Sequence, residues 1–500
     1  MAKTIAAIST AMAPGGIGIV RISGDNAKTI VDKVFRTKSG KWISEMKGYT
    51  AALGEIWVND SVSGAAELEH DGLEKISLVC GEPNDINEID NINNVNFIHC
   101  ELNDVQNKLD DAVALVFTAP KSYTGEDVVE LSCHGGLYVL KRLLQELLAN
   151  GAEPAQAGEF TKRAFLNGKM DLIQAESVMQ IISAGGEQAA RAAIAGNDGK
   201  LSEKIMQIKA EITDTAAHLA AWADFPDDDI PQIEENELKT RLSNAVANLT
   251  ELLKSFEKGK ILRDGVITVI AGRPNAGKST LMNLLAGCER SIVTEIAGTT
   301  RDVVEESIML GGISLRLADT AGIRETDDIV ESIGVNAAKK RIETAQLILV
   351  VFDASQKLNS DDMAIIENTK SANSIAIINK TDLEMKIDES LIRSEFSRVI
   401  SISAALGDGL QALETEITSL LETEKINSAD GLLYTERQRK DVFDALSSIQ
   451  QASGALESGL TLDAATVCVE DALESLCELT GERVSDKVIG EVFEQFCVGK

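Results

Sequence analysis

Nine residues constrain this chain more than any others: GRPNAGKST, running from Gly272 to Thr280. An apolar run, VITVIA, precedes them and another, LMNLLAG, follows, so a strand, a glycine-rich turn and a helix are predicted in immediate succession. Gly272 and Gly277 let the backbone turn until its N–H groups face a phosphate. Lys278 supplies a point charge to the β- and γ-phosphates, and the Ser279 hydroxyl is suited to Mg²⁺. Such a loop works at the end of a parallel strand. The runs that follow fit that setting: SLRLAD, LILVVFD, SIAIINK and RVISIS, each short, apolar and ended by a polar loop.

Four further segments turn a phosphate site into a guanine nucleotide site. AGTTRD carries Thr300, whose hydroxyl is placed to reach Mg²⁺. LADTAG puts Asp319 at a strand end for an indirect contact to the metal and offers the Gly322 N–H to the γ-phosphate. IINKTD carries Asn379, Lys380 and Asp382 after another apolar strand. The Asp382 carboxylate accepts from guanine N1–H and the 2-amino group together, whereas adenine would leave it unpaired. SISA then offers the Ala404 N–H to guanine O6. GTP is therefore expected rather than ATP. The residue after DTAG is Ile323, an apolar side chain that cannot orient water, so the water-positioning group must come from elsewhere.

The rest of the chain falls into three textures. Residues 1 to about 167 mix β-type runs (GIGIVRI, AVALVF, VVELSC) with glycine turns and one helical stretch, LYVLKRLLQELLANG. Within them, residues 60–96 are rich in Asn, Asp and Glu and read as an inserted loop. Residues 168–263 turn helical, 264–427 alternate strand and helix, and 428–500 return to helix. The expected fold is multidomain, α/β plus all-α: an N-terminal α+β domain, then a helical domain interrupted by an inserted P-loop domain whose two ends lie close together.

Composition narrows the function classes. Hydrophobic residues make up 44% and charged residues 25%, as in a globular protein. No apolar run approaches the roughly 18 residues of a membrane span, and MAKTIAAIST has no signal-peptide pattern, so a cytoplasmic location is expected. A net charge of −31 argues against coating nucleic acid with a broad basic surface. The seven cysteines are scattered and never form a CxxC pair, which excludes a disulfide framework. His99–Cys100 has no second metal-like pair nearby.

With these motifs in place, nearly the whole chain resembles the tRNA modification GTPases, the family called MnmE or TrmE. TIAAISTAMAPGGIGIVRISG, SYTGEDVVELSCHGG, GEFTKRAFLNGKMDLIQAE, DFPDDDI and the terminal FCVGK carry the resemblance alongside the GTPase motifs. It implies a homodimer held through a folate-binding N-terminal domain. It also implies a flavin-dependent partner, MnmG or GidA, with FAD. The pair places an aminomethyl or carboxymethylaminomethyl group at carbon 5 of the tRNA wobble uridine, using a 5-formyltetrahydrofolate-type donor. Implied folate contacts fall on Arg21, Glu130, Lys169 and Lys500. A K⁺ ion takes the place of an arginine finger, held by Asn275, Thr294, Ile296 and Thr299, and Glu331 orients water. Implied GTP contacts extend to Ala276, Thr280, Glu295, Ala297 and Gly298. Thr320, Ala321 and Ser403 complete them.

Plainer readings stand beside these. Arg21 alone reads as an exposed strand residue, and His134 as structural. DFPDDDI reads as an acidic helix cap, and TERQRK as a solvated helix face rather than a tRNA contact. A ribosome-assembly GTPase would share the nucleotide motifs but lack the flanking regions. A non-catalytic folate scaffold is opposed by intact Lys278, Ser279, Thr300 and Asp319. CVGK puts Cys497 where a prenylation box has it, but Gly499 is not aliphatic and EVFEQF upstream is acidic. The resemblance instead turns the tail back to the folate site, making Cys497 a candidate nucleophile or acid/base.

Overall fold

The computed structural model describes residues 3–59, 106–224, 235–287, 306–317, 344–421, 430–458 and 462–500. They form two compact units, residues 1–169 with 487–500 and residues 170–486. Segment 428–500 is thus divided, its last fourteen residues belonging to the first unit. The insertion at 60–96 and residues 225–230 of DFPDDDI lie outside the described residues.

The first unit is built on a seven-stranded sheet in the order β3-β4-β5-β6-β2-β1-β7. The strands are β1 (Ile5–Ile8), β2 (Gly15–Ser23), β3 (Phe35–Thr37), β4 (Thr50–Asn59), β5 (Gln106–Phe117), β6 (Val128–Gly135) and β7 (Glu153–Pro154). All neighbours are antiparallel except β1 and β7. Alternation places Val20 and Ile22 of β2 and Val129 and Leu131 of β6 in the core under helices α1 (Ala27–Val34) and α2 (Leu137–Ala149). The same alternation sends Arg21 and Glu130, which are register partners, to the other face. A third helix, α3 (Glu159–Leu166), buries Phe160 against Ile5 and Ala7. Helices α1 and α3 were not expected, since each is only eight residues long and short runs give little periodic signal.

The second unit holds α4 (Leu172–Ser183), α5 (Glu187–Asn197), α6 (Lys200–Asp224) and α7 (Glu235–Asp264) before the sheet. On α7, Leu238, Leu242, Ala245, Leu249, Leu252 and Phe256 alternate steps of four and three, a heptad seam that winds helices together. Beyond the sheet, α12 (Glu436–Glu457) and α13 (Leu462–Thr480) carry matching seams, and the four helices α6, α7, α12 and α13 close into a bundle.

Between α7 and α12 lies a six-stranded sheet, β13-β12-β11-β8-β10-β9. Its strands are β8 (Val266–Ala271), β9 (Glu306–Leu310), β10 (Ile313–Leu317), β11 (Leu347–Asp353), β12 (Ser374–Asn379) and β13 (Val399–Ser401). It is parallel except at edge strand β9, which the apolar runs did not disclose. Helices α8 (Lys278–Ala286) and α11 (Leu410–Leu420) cover one face, α9 (Ser360–Thr369) and α10 (Glu389–Glu395) the other. Both faces being covered is why β11 and β12 read as unbroken apolar runs. The ends of this insert meet as expected: Arg263 donates to the Tyr434 carbonyl, and Leu262 packs with Leu432 and Tyr434. The chain ends in α14 (Asp486–Phe493) and the FCVGK tail.

Candidate functional site

The order of the second sheet puts β8 between β10 and β11, a switch point where ligands bind beyond the strand ends. The GRPNAGKST loop lies there, leading from β8 into α8. Its cap residue, Gly277, has φ +98°, and a Cβ would lie 2.1 Å from the Asn379 side-chain nitrogen. Glycine is required at this position by both conformation and space. Lys278 donates to the carbonyls of Gly272 and Arg273 at 2.7 Å each. Burial lowers the pKa of this ammonium from the ordinary lysine range. Asn275 and Ser279 are exposed, and Thr280 follows, also exposed.

The segments expected to read the base converge on the same loop. Asn379 is buried; its side-chain nitrogen donates to the Ala276 carbonyl at 3.1 Å while its oxygen accepts from Ala404 N–H at 3.0 Å. One side chain therefore ties the phosphate loop to the SISA loop. Ser403 donates to Asp382 at 2.6 Å, fixing the carboxylate expected to read guanine. Lys380 Nζ lies 2.7 Å from the Asn275 carbonyl and 2.7 Å from the Asp353 carboxylate. Burial pushes the Asp353 carboxyl up, but hydrogen bonds from Lys380 and Ser355 outweigh it and hold it below the usual carboxylate range. Asp353 was missed in the sequence. Its one signal is an acidic residue closing the otherwise apolar LILVVFD. Also missed was Asp362, which pairs with Arg273 of the phosphate loop at 3.6 Å.

Thr294, Glu295, Ile296, Ala297, Gly298, Thr299 and Thr300 lie outside the described residues, as do Asp319, Thr320, Ala321, Gly322 and Glu331. Among the described residues no three His, Cys, Asp or Glu gather to hold a metal. No described helix is long and apolar enough to cross a membrane.

In the first unit the expected folate residues are partly gathered. Arg21 Nε donates to Glu130 at 2.9 Å, and its guanidinium lies 5.5 Å from the ring centres of both Tyr123 and Phe160. The tail comes to the same place. Ser9 Oγ donates to the Gly499 carbonyl at 3.0 Å, Arg21 reaches that carbonyl at 3.5 Å, and the Lys500 carbonyl accepts from Phe160 N–H at 3.1 Å. Lys169 is occupied differently, donating to the Pro120 carbonyl at 3.1 Å. Cys497 is exposed, whereas burial pushes the Cys133 thiol up to about 11. His134 pairs with Asp110 at 2.7 Å.

TERQRK is split: Glu436, Arg439 and Lys440 face solvent as expected, while Thr435, Arg437 and Gln438 cap and pin α12. Thr435 caps the helix and Arg437 forks onto Glu176 at 2.8 and 2.9 Å. Arg437 also donates to Asp441 at 2.9 Å.

Residues 4–169 match the family described as GTP-binding protein TrmE N-terminus, and residues 172–497 match the MnmE helical domain family. Full-length relatives carry the name tRNA modification GTPase MnmE. That of Clostridioides difficile (strain 630) is 37% identical, covering 99% of each chain. That of Acetivibrio thermocellus is 38% identical, again over 99% of each. That of Lactococcus lactis subsp. lactis (strain IL1403) is 40% identical over 99% of this chain and 98% of its own.

Proposed function

The chain belongs to the tRNA modification GTPase family, and on that premise we propose that its GTP hydrolysis serves modification of the tRNA wobble uridine. In this reading it acts as a homodimer with a flavoprotein of the MnmG or GidA type. Together they add an aminomethyl or carboxymethylaminomethyl group at carbon 5, with the carbon drawn from a 5-formyltetrahydrofolate-type donor. The observation that carries the nucleotide half is the convergence of Ala276, Asn379 and Ala404 through a single side chain. It joins a phosphate-binding loop to a guanine-reading loop.

Lys278 holds the β- and γ-phosphates, with the Asn275, Ala276, Gly277, Ser279 and Thr280 segment around them. Ser279 and Thr300 would hold Mg²⁺, and Asn275, Thr294, Ile296 and Thr299 would hold K⁺. All offer oxygen donors, the set that hard cations take. Mg²⁺ supplies neutralisation of phosphate charge when bound. Glu331 would orient the attacking water, the task Ile323 cannot perform. Hydrolysis does no carbon chemistry itself; it switches the protein between conformations.

For the carbon donor, the Arg21–Glu130 pair between two aromatic rings supports a pterin site, where flat rings stack and amide-like edges meet a carboxylate. Lys500 and Lys169 would meet the glutamate carboxylates of folate. Cys497 is proposed as the reactive thiol beside them, exposed as a nucleophile must be.

Nucleoside mass spectrometry of tRNA from a strain lacking this protein tests the reading. Loss of the carbon-5 modification is expected, and unchanged wobble uridines would sink it. Replacing K⁺ by Na⁺ is expected to slow GTP turnover; equal rates would refute the cation assignment. Cys497→Ser is expected to abolish modification at a normal GTPase rate, and normal modification would reduce this cysteine to packing.

A further inference from the structure

Two non-glycine residues of the second unit, among those described, have left-handed backbones: Asn275 at φ +61° and Lys380 at φ +65°. Each is an uncommon conformation that surrounding structure must impose, and such residues cluster where function needs them. These two are bonded to one another, because Lys380 Nζ donates to the Asn275 carbonyl at 2.7 Å. The same ammonium donates to the Asp353 carboxylate at 2.7 Å. Asp353 has a side chain 1% exposed at the last position of β11, and its other oxygen accepts from Ser355 N–H at 2.9 Å and Ser355 Oγ at 2.7 Å. Ala354 N–H bonds the Asn379 carbonyl at 2.8 Å, so the strand end bearing Asp353 is also stitched to the segment bearing Lys380.

We propose that Asp353 is a positioning residue for the nucleotide site, acting through Lys380 to hold Asn275 of the phosphate loop in its left-handed conformation. Asp353 touches no expected nucleotide atom. The buried Asp353 carboxylate gives the half-buried Lys380 ammonium a counter-charge beside the one carbonyl, that of Asn275, which it also reaches. Its fixed attachment to Ser355 and to a central strand gives the ammonium one position instead of several. Lys380 then sets the backbone of Asn275, and with it the direction of the loop N–H groups that follow. The arrangement couples the two sides of the site: the residue pair beside the base-reading Asp382 also decides the shape of the phosphate cradle.

This inference rests on the phosphate loop being the nucleotide site, and the experiment separates the two. Binding of a fluorescent N-methylanthraniloyl GDP would be measured for the full chain, for Asp353→Asn, for Lys380→Met and for the double variant. Thermal melts without nucleotide would accompany each. Asp353→Asn is expected to weaken binding by about tenfold or more with a wild-type melt, a loss matching release of one imposed backbone conformation. Adding it to Lys380→Met should change the dissociation constant by less than about twofold, since the residue acts through that lysine. Two independent, multiplying effects would overturn the proposal, as would wild-type affinity in Asp353→Asn. Failure of the unaltered chain to bind would overturn the nucleotide site itself. If Asp353→Asn unfolds, the same cycle is run with Asp353→Glu, which keeps the charge but moves it, and the same two outcomes decide.

Discussion

Gly499 offers the sharpest test of the tail. Residues 497–500 form a turn closed by Lys500 N–H on the Cys497 carbonyl at 3.3 Å, with Gly499 at φ +98°. A Cβ on Gly499 would lie 2.3 Å from the Ile8 carbonyl oxygen and 3.0 Å from Ser9 Cα, both backbone atoms that cannot rotate aside. Gly499→Ala therefore has to leave the left-handed region, which costs a non-glycine residue about 1–2 kcal/mol, or displace the tail. Displacement breaks the bonds from Ser9 Oγ to the Gly499 carbonyl and from Phe160 N–H to the Lys500 carbonyl, each worth about 1 kcal/mol. Docking of the tail should thus weaken by roughly 1–2 kcal/mol, or roughly 5- to 30-fold in an opening equilibrium. The assay is amide hydrogen exchange at Phe160. This is the second residue of α3, whose N–H has no partner within its own helix and bonds the tail instead. Exchange at Phe160 should rise by that factor while GTP hydrolysis is unchanged. Wild-type protection at Phe160 in a folded variant would refute the reasoning.

Three further outcomes are expected. Asp382→Asn replaces an acceptor of two guanine donors by a group that offers an N–H₂, so GTP affinity should fall by about a hundredfold or more while xanthosine triphosphate gains, read by competition binding. Glu176→Ala leaves Arg437 without its bidentate partner, and should destabilise the second unit by about 3 kcal/mol in a denaturant titration. The Asp441 carboxyl is pushed up to about 6, first by burial and then by Glu478 and Glu176, against the pull of Arg437. Its folded value lies above its unfolded value, so its contribution favours the folded state at low pH and is lost as pH rises through 6. Denaturant midpoints should accordingly show a fall from about pH 4 to about pH 6 that Asp441→Asn reduces.

The sequence was most informative where chemistry is local. GRPNAGKST, NKTD and SISA each place their groups within a few residues, on turns that follow apolar strands, so the loop conformation follows from the same residues that are expected to bind. The sheet of the second unit was legible for a related reason: strands covered on both faces must be apolar throughout, and β11 and β12 are. Helices α1 and α3 and edge strand β9 were not legible, because short elements are held by what they pack against more than by propensity.

What the sequence by itself determined is the expected class of ligand and the architecture around it: a phosphate loop on a parallel sheet, inserted between helices, with a carboxylate expected to read guanine. Only the tertiary structure decided which distant residues hold those loops in shape. Asp353 is 27 positions from Lys380, Glu176 is 261 from Arg437, and Ser9 is 490 from Gly499. A carboxylate at the end of an apolar strand, an arginine on a helix face and a glycine near the terminus are each ordinary in sequence. They acquire a role through one contact, and contacts between remote residues are selected by how whole elements pack. No local pattern records that choice.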